Sequence, residues 1–191
     1  MKRFFTTLRN IWDIKELRTR ILFTLGMIFI FRVGSFIVLP GVLPSVLKQQ
    51  SQSDDNSLLG LINAFTGGAF SQASVFALGI MPYITASIII QLLGFAVPYF
   101  QRLQSKEGES GRKKLSSITR LLTVAITLVQ GGGYLRYLFF LKAVDPRIDQ
   151  GIFWFSNIII LAAGTVFAMW LGEKITDRGL GNGVSLIIMA G

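Results

Sequence analysis

The sequence predicts an all-α fold, a polytopic transmembrane helix bundle, and three observations predict it. The 191 residues are 51% hydrophobic and only 15% charged, and their mean hydropathy is +0.57, outside the range of soluble domains. Apolar runs long enough to cross a membrane recur along the chain, separated by short charged segments. The longest, residues 56–101, contains no Asp, Glu, Lys or Arg. At about 1.5 Å per residue it would make a helix more than twice as deep as the roughly 30 Å hydrocarbon core of a bilayer, so it must be broken.

Composition also limits the chemistry. Cysteine and histidine are both absent, which removes disulfides, thiol catalysis and nearly every structural zinc or haem arrangement. Lys and Arg number 19 against 10 Asp and Glu; in a membrane protein this excess reads as flanking charge that sets topology rather than as a nucleic-acid surface. No cofactor, metal or enzymatic activity is expected.

Residues 1–20 read as a cytoplasmic amphipathic helix on the membrane surface, with Phe4, Leu8, Ile11 and Trp12 at helical spacing among basic residues. A cleaved secretory signal fits less well, because no small-residue cleavage site follows. The membrane domain is residues 21–191. Its first span, 21–39, carries one charge, Arg32, expected to reach the far interface; Pro40, Gly41 and Pro44 end the helix. The polar stretch 48–57 is poor in Lys and Arg and belongs on the side opposite the basic N-terminus.

The uncharged run breaks at Thr66, Gly67 and Gly68, between a short apolar piece (58–65) and a long one starting near Ser74, which gives a second span over 74–100. The short piece cannot cross, so it is a re-entrant element or the stopper of a cavity. Residues 102–114 then carry Arg102, Lys106, Arg112, Lys113 and Lys114, a cytoplasmic charge density. The run between the two sides therefore crosses once, with the short piece on the non-cytoplasmic side. The third span is 121–141, ending at Arg136 and the belt of Tyr137, Phe139 and Phe140. Inside it, Gln130 and Gly131 to Gly133 suggest close packing of a neighbouring helix, with a hinge as the alternative. The fourth span, 152–172, has Trp154 and Trp170 near its ends, and 173–182 returns to the cytoplasmic face. Residues 183–191 begin a fifth span too short to cross, so the rest of the bundle is expected on a further segment.

No Asp or Glu lies inside a span, which leaves a proton-coupled carrier little to work with. Ser35, Thr85, Ser87 and Thr165 lack an activating base and read as helix hydrogen-bonding groups. The glycines at 179, 181 and 183 have no preceding strand or following lysine, so they do not make a phosphate loop. Ile80, Ile84, Ile88 and Gln91 share one helical face at spacings of four and three. Such a face either meets lipid or forms a hydrophobic constriction that seals a pore.

Four stretches carry a resemblance: FRVGSF with Leu39-Pro40-Gly41; FALGIMPYITASIIIQLL from Phe76; KEGESGRKK from Lys106; and WLGEKITDRGLGNGVSLIIMAG from Trp170. Together they resemble the SecY family, central subunits of the bacterial protein-conducting channel. Two departures are modest: many relatives have a second proline where Val38-Leu39-Pro40 stands, and the Gly131–Gly133 run is unexpected. The resemblance implies the N-terminal half of a ten-span fold, with a plug at about 56–68 (Leu58, Leu59, Leu61, Ile62, Asn63, Phe65, Gly67, Gly68) closing the channel from outside. It implies a pore ring at Ile80, Ile84 and Ile188, and a lateral gate with Thr85, Ser87, Ile88, Gln91 and Gln130. The loop bearing Arg102, Lys106, Arg112, Lys113 and Lys114 would meet cytoplasmic partners. Implied partners are SecE, SecG, the SecA motor or the ribosome, signal sequences and nascent polypeptides, membrane lipid, and the C-terminal half of the same protein. The implied location is the bacterial inner membrane, multi-pass, with a cytoplasmic N-terminus. A small-solute transporter or a pore-less membrane scaffold would share the spans.

Overall fold

A computed structural model of the chain describes residues 14–43, 45–47, 66, 68–105 and 108–190. Six helices account for most of them: α1 (Lys15–Gly34), α2 (Met81–Ala96), α3 (Pro98–Ser105), α4 (Gly108–Phe140), α5 (Gln150–Arg178) and α6 (Gly183–Ala190). Among the described residues, α4 and α5 are each long and apolar enough to cross a membrane, and the bent pair α2–α3 supplies a third candidate. Chain direction alternates, so the ends divide into two faces. Lys15, Arg18, Arg20, Arg102, Arg112, Lys113, Lys114, Arg120, Lys174 and Arg178 lie towards one, called here the basic face, against Glu16, Glu109, Glu173 and Asp177; Arg32, Arg136, Lys142 and Arg147 lie towards the other against Asp145 and Asp149, a smaller basic excess.

α1 runs through residues 20 and 21 without interruption, so residues 15–20 share one helix with the start of the expected first span; the rest of the expected surface helix, residues 1–13, lies outside the described residues. It stops at Gly34, five residues before the expected end of the span. Ser35–Leu39 instead turn and pair: Val38 bridges Ser74 in antiparallel fashion, Leu39 N–H donates to Ala73 O at 2.8 Å and Val75 N–H to Ile37 O at 2.8 Å. A second bridge joins Val42 to Val144. These short pairings satisfy backbone groups that would otherwise be orphaned where three segments turn back into the bundle. Arg32 lies in the last turn of α1, with its guanidinium 5.5 Å from the Phe36 ring.

The second span departs furthest from expectation. Helix does not begin near Ser74 but at Met81, and residues 74–80 form a bridge and successive turns. Gly79 takes φ +52°, left-handed backbone that breaks a helix, and Pro82 occupies the first turn, where a proline is tolerated. At the other end the chain bends by 101° between α2 and α3. Val97 is extended (φ −114°, ψ 120°), because the ring of Pro98 bars the residue before it from the helical region. The elbow is closed by Gln104, whose amide packs against the Cα of Gly94.

α4, 33 residues and about 50 Å long, begins well before the expected start of the third span. Gly131 to Gly133 lie inside it without a break, so no hinge is formed there. A methyl group at Gly131 or Gly132 would find only ordinary contacts at 3.5 Å or more, and one at Gly133 none. Close approach occurs elsewhere. The Val75 carbonyl meets Gly164, the Phe76 ring covers Gly34, and the Gly172 carbonyl touches Gly183. α5 starts on an N-cap in which Asp149 Oδ1 accepts from Gly151 N–H at 2.8 Å and Ile152 N–H at 3.2 Å.

Two apolar clusters hold the bundle. One, towards the outer face, gathers Leu39, Leu135, Leu138, Phe153 and Leu161. The other gathers Phe31, Phe76, Ile80, Leu171, Ile175 and Ile187, flanked by a ring stack running Phe31–Phe76–Phe167–Trp170 with centroids 5.3, 6.0 and 5.8 Å apart. Phe95, Leu121, Phe140 and Phe155 are exposed, as apolar side chains facing lipid would be.

Candidate functional site

Four elements enclose a groove of about 500 Å³ towards the basic face. Each helix contributes one stripe at three- and four-residue spacing, the signature of a single helical face. α2 supplies Tyr83, Ile84, Ser87, Ile88 and Gln91; α4 supplies Ser116 and Arg120; α5 supplies Glu173, Thr176 and Asp177; Asn182 and Val184 come from the start of α6. Arg120 forms a bidentate ion pair with Glu173, Nε to Oε1 at 3.1 Å and Nη2 to Oε2 at 2.8 Å, the planar fork that makes arginine-carboxylate pairs directional.

The turn between α5 and α6 is fixed by side chains of α1, α5 and the turn itself. Thr24 Oγ1 on α1 accepts from Leu180 N–H at 3.1 Å, and Thr176 Oγ1 from Gly183 N–H at 2.9 Å. Asn182 Oδ1 caps α6, accepting from Val184 N–H at 3.0 Å. Val184 is thereby held on the groove wall.

Polarity ends abruptly beneath. Ile80, Val184 and Ile187 converge over Gly172, where a methyl group would lie 3.3 to 3.5 Å from all three side chains. Ile80 and Ile187 are buried, and Ile84, Leu186 and Ile188 pack against the same cluster. A groove of hydroxyls, amides and charges thus bottoms out on branched aliphatic side chains, which offer water nothing to bond to.

The residues singled out from sequence do not all fall in one place. Ile80, Ile84 and Ile188 come together in one apolar cluster. Ser87, Ile88 and Gln91 line the groove with Ile84, and Gln91 Nε2 reaches Ser87 Oγ at 3.4 Å. Ile80 has left the shared helical face, since it precedes the first turn of α2 and is buried. The Thr85 hydroxyl donates to Met81 O at 3.1 Å on its own helix. Gln130 stands apart, in a second cavity of about 370 Å³ with Thr66, Phe70, Tyr134 and Tyr137. Arg102, Arg112, Lys113 and Lys114 are exposed, Lys113 pairing with Glu109 at 3.1 Å. Leu58, Leu59, Leu61, Ile62, Asn63, Phe65, Gly67 and Lys106 lie outside the described residues, and Gly68 adopts φ +82°. Sequence reading passed over Tyr83, Ser116, Arg120, Glu173, Thr176, Asp177 and Asn182. The four-residue spacings of Ser116 to Arg120 and Glu173 to Asp177 were the available signal.

Bundle and groove together define a polytopic helical membrane protein with a polar groove on its basic face, floored by isoleucine and valine. The SecY family model matches residues 74–191, more than half of the chain, and the chain belongs to that family. It is 46% identical over 178 residues to the protein translocase subunit SecY of Escherichia coli K12, covering 92% of this chain and 40% of that protein. Against the same subunit of Bacillus licheniformis the identity is 48% over 190 residues, covering 98% and 43%. Two solved structures share the fold. Sec61 in the canine ribosome-channel complex from the endoplasmic reticulum gives a TM-score of 0.65 at 20% identity, covering 90% of this chain and 35% of that one. A protein-conducting channel gives 0.63 at 21%, with the same coverage. The chain spans about two-fifths of the length of the curated relatives it matches.

Proposed function

We propose that this chain forms the N-terminal half of a bacterial protein-conducting channel, which passes unfolded secretory polypeptides across the inner membrane and releases membrane helices sideways into lipid. The observation that carries the reading is the polar groove that ends on the isoleucine cluster. An extended polypeptide needs partners for its backbone groups on entry, and the Ser87 hydroxyl and the side-chain amides of Gln91 and Asn182 supply donors and acceptors there. Below them Ile80, Ile84 and Ile188, with Val184 and Ile187, act as a constriction that excludes water and ions when no chain occupies it.

In this reading the basic face is cytoplasmic and receives the ribosome or the SecA motor through the loop of Arg102, Arg112, Lys113 and Lys114. SecE, SecG and the C-terminal half complete the pore. Residues 56–68 form the outer plug, and α2 with α4 makes one side of the lateral gate. No residue of the chain performs covalent chemistry; transport is driven from outside.

The test is site-specific photocrosslinking from position 84 in the assembled protein to a stalled secretory chain. A crosslink that disappears when the signal sequence is inactivated is expected. Crosslinks to lipid alone would overturn the reading.

A further inference from the structure

Packing along α4 is uneven. Its large buried apolar side chains, Leu135 and Leu138, with Tyr134 beside them, lie near its outer end. Towards the basic face it buries Gly111, Thr119, Thr123 and Thr127. Each of these threonine hydroxyls bonds its own helix, to the carbonyls of Leu115, Thr119 and Thr123 at 2.7 to 2.8 Å. The threonines therefore give α4 a smooth buried stripe and spend no hydrogen bond on a neighbouring helix. At the end of this stretch stands the bidentate Arg120–Glu173 pair, joining α4 to α5 across 53 residues of sequence.

We infer that the Arg120–Glu173 pair is a latch that sets the width of the groove. α4 packs as extensively along α5 as along α2, whereas α2 touches α5 only sparsely, so α2 on one side of the groove is tied to α5 and α6 on the other chiefly through α4. The walls are pinned together at the outer end by the Tyr134–Leu138 region. At the basic face the ion pair provides the directional link. Releasing it lets α4 pivot about the outer anchor, carry α2 with it, and draw Ile84 away from Val184. Glu173 is mostly shielded, with a side chain 22% exposed against 54% for Arg120. The fork geometry rules out lysine as an equivalent partner.

The latch is inferred from the ion pair and the uneven packing of α4; its consequence for transport rests on the channel reading above. The experiment uses the complete protein in lipid nanodiscs, with spin labels on cysteines introduced at Gln91 and Asp177, on facing walls. Any other cysteine is replaced by serine. The intact latch is expected to give one narrow distance distribution. Arg120→Gln and Glu173→Gln each should add a longer component, with an open population raised about fivefold, and the exchange Arg120→Glu with Glu173→Arg should restore the narrow one. Arg120→Lys should behave like Arg120→Gln. Unchanged distances in both single variants, or an exchange that stays broad in protein of wild-type thermal stability, overturn the latch. A parallel conductance measurement separates the two claims. Distances that widen while ion leak stays at the wild-type level leave the latch standing and count against the channel.

Discussion

Replacing Gly183 by alanine should be among the most damaging single-methyl additions in the chain. The added carbon would collide with the Gly172 carbonyl and lie 2.7 Å from Ile175 Cβ. Both obstacles sit on or next to the α5 backbone, so no side-chain rotation relieves them, and α6 must move off α5. Overpacking of this kind costs about 1–3 kcal/mol, and because Gly183 is the first residue of α6 the interior helix preference for alanine does little to offset it. The displacement also has a direction: it lifts Asn182 and Val184 from the groove and uncovers Ile80. Gly26 supplies the control, because it lies in α1 with nothing within 4 Å of an added methyl, and Gly26→Ala should be neutral or stabilising. The assay is thermal or denaturant unfolding of both variants in the same detergent, with spin-label distances from α5 to α6. Equal stability of the two variants would refute the packing described for the α5–α6 crossing.

Tyr134→Phe removes a hydroxyl that donates to Phe70 O at 2.7 Å while keeping the ring contacts with Phe70; it should cost about 1 kcal/mol of stability and speed proteolysis in the 66–73 segment. Asp149→Ala removes the N-cap of α5 and should cost about 1 kcal/mol, with Asp149→Asn retaining most of it, as read by thermal unfolding. Pro98→Ala lifts the steric bar on Val97 and should reduce the 101° bend, measured by spin-label distance between α2 and α3.

Hydropathy pointed to α4, α5 and the bent pair α2–α3 because lipid imposes a length and a charge rule on every segment that crosses it. It located their ends poorly. α4 starts at Gly108 among polar and charged residues, since a helix that leaves the membrane remains a helix. The irregular stretch 74–80 was signalled by Gly79 and Pro82, but the apolar composition on either side outweighed them. Pro98 likewise marked an elbow inside what read as one span. At the site, the stripe Ile84–Ile88–Gln91 was legible because helical periodicity alone decides which residues share a face. The Arg120–Glu173 pair was not, because the rotation of α4 against α5 is set by packing between residues far apart in sequence. The pairing of Ile80 with Ile187 over Gly172 was hidden for the same reason.

The central claim is that the isoleucine cluster seals a pore. Its most direct measurement is the planar-bilayer conductance of the complete, assembled protein after Ile80 and Ile84 are replaced together by glycine or serine. On the proposed channel function, the wild-type protein should be silent without a translocating chain. The double variant should pass ions continuously and admit chains with defective signal sequences. A correctly assembled double variant with wild-type conductance would contradict the account.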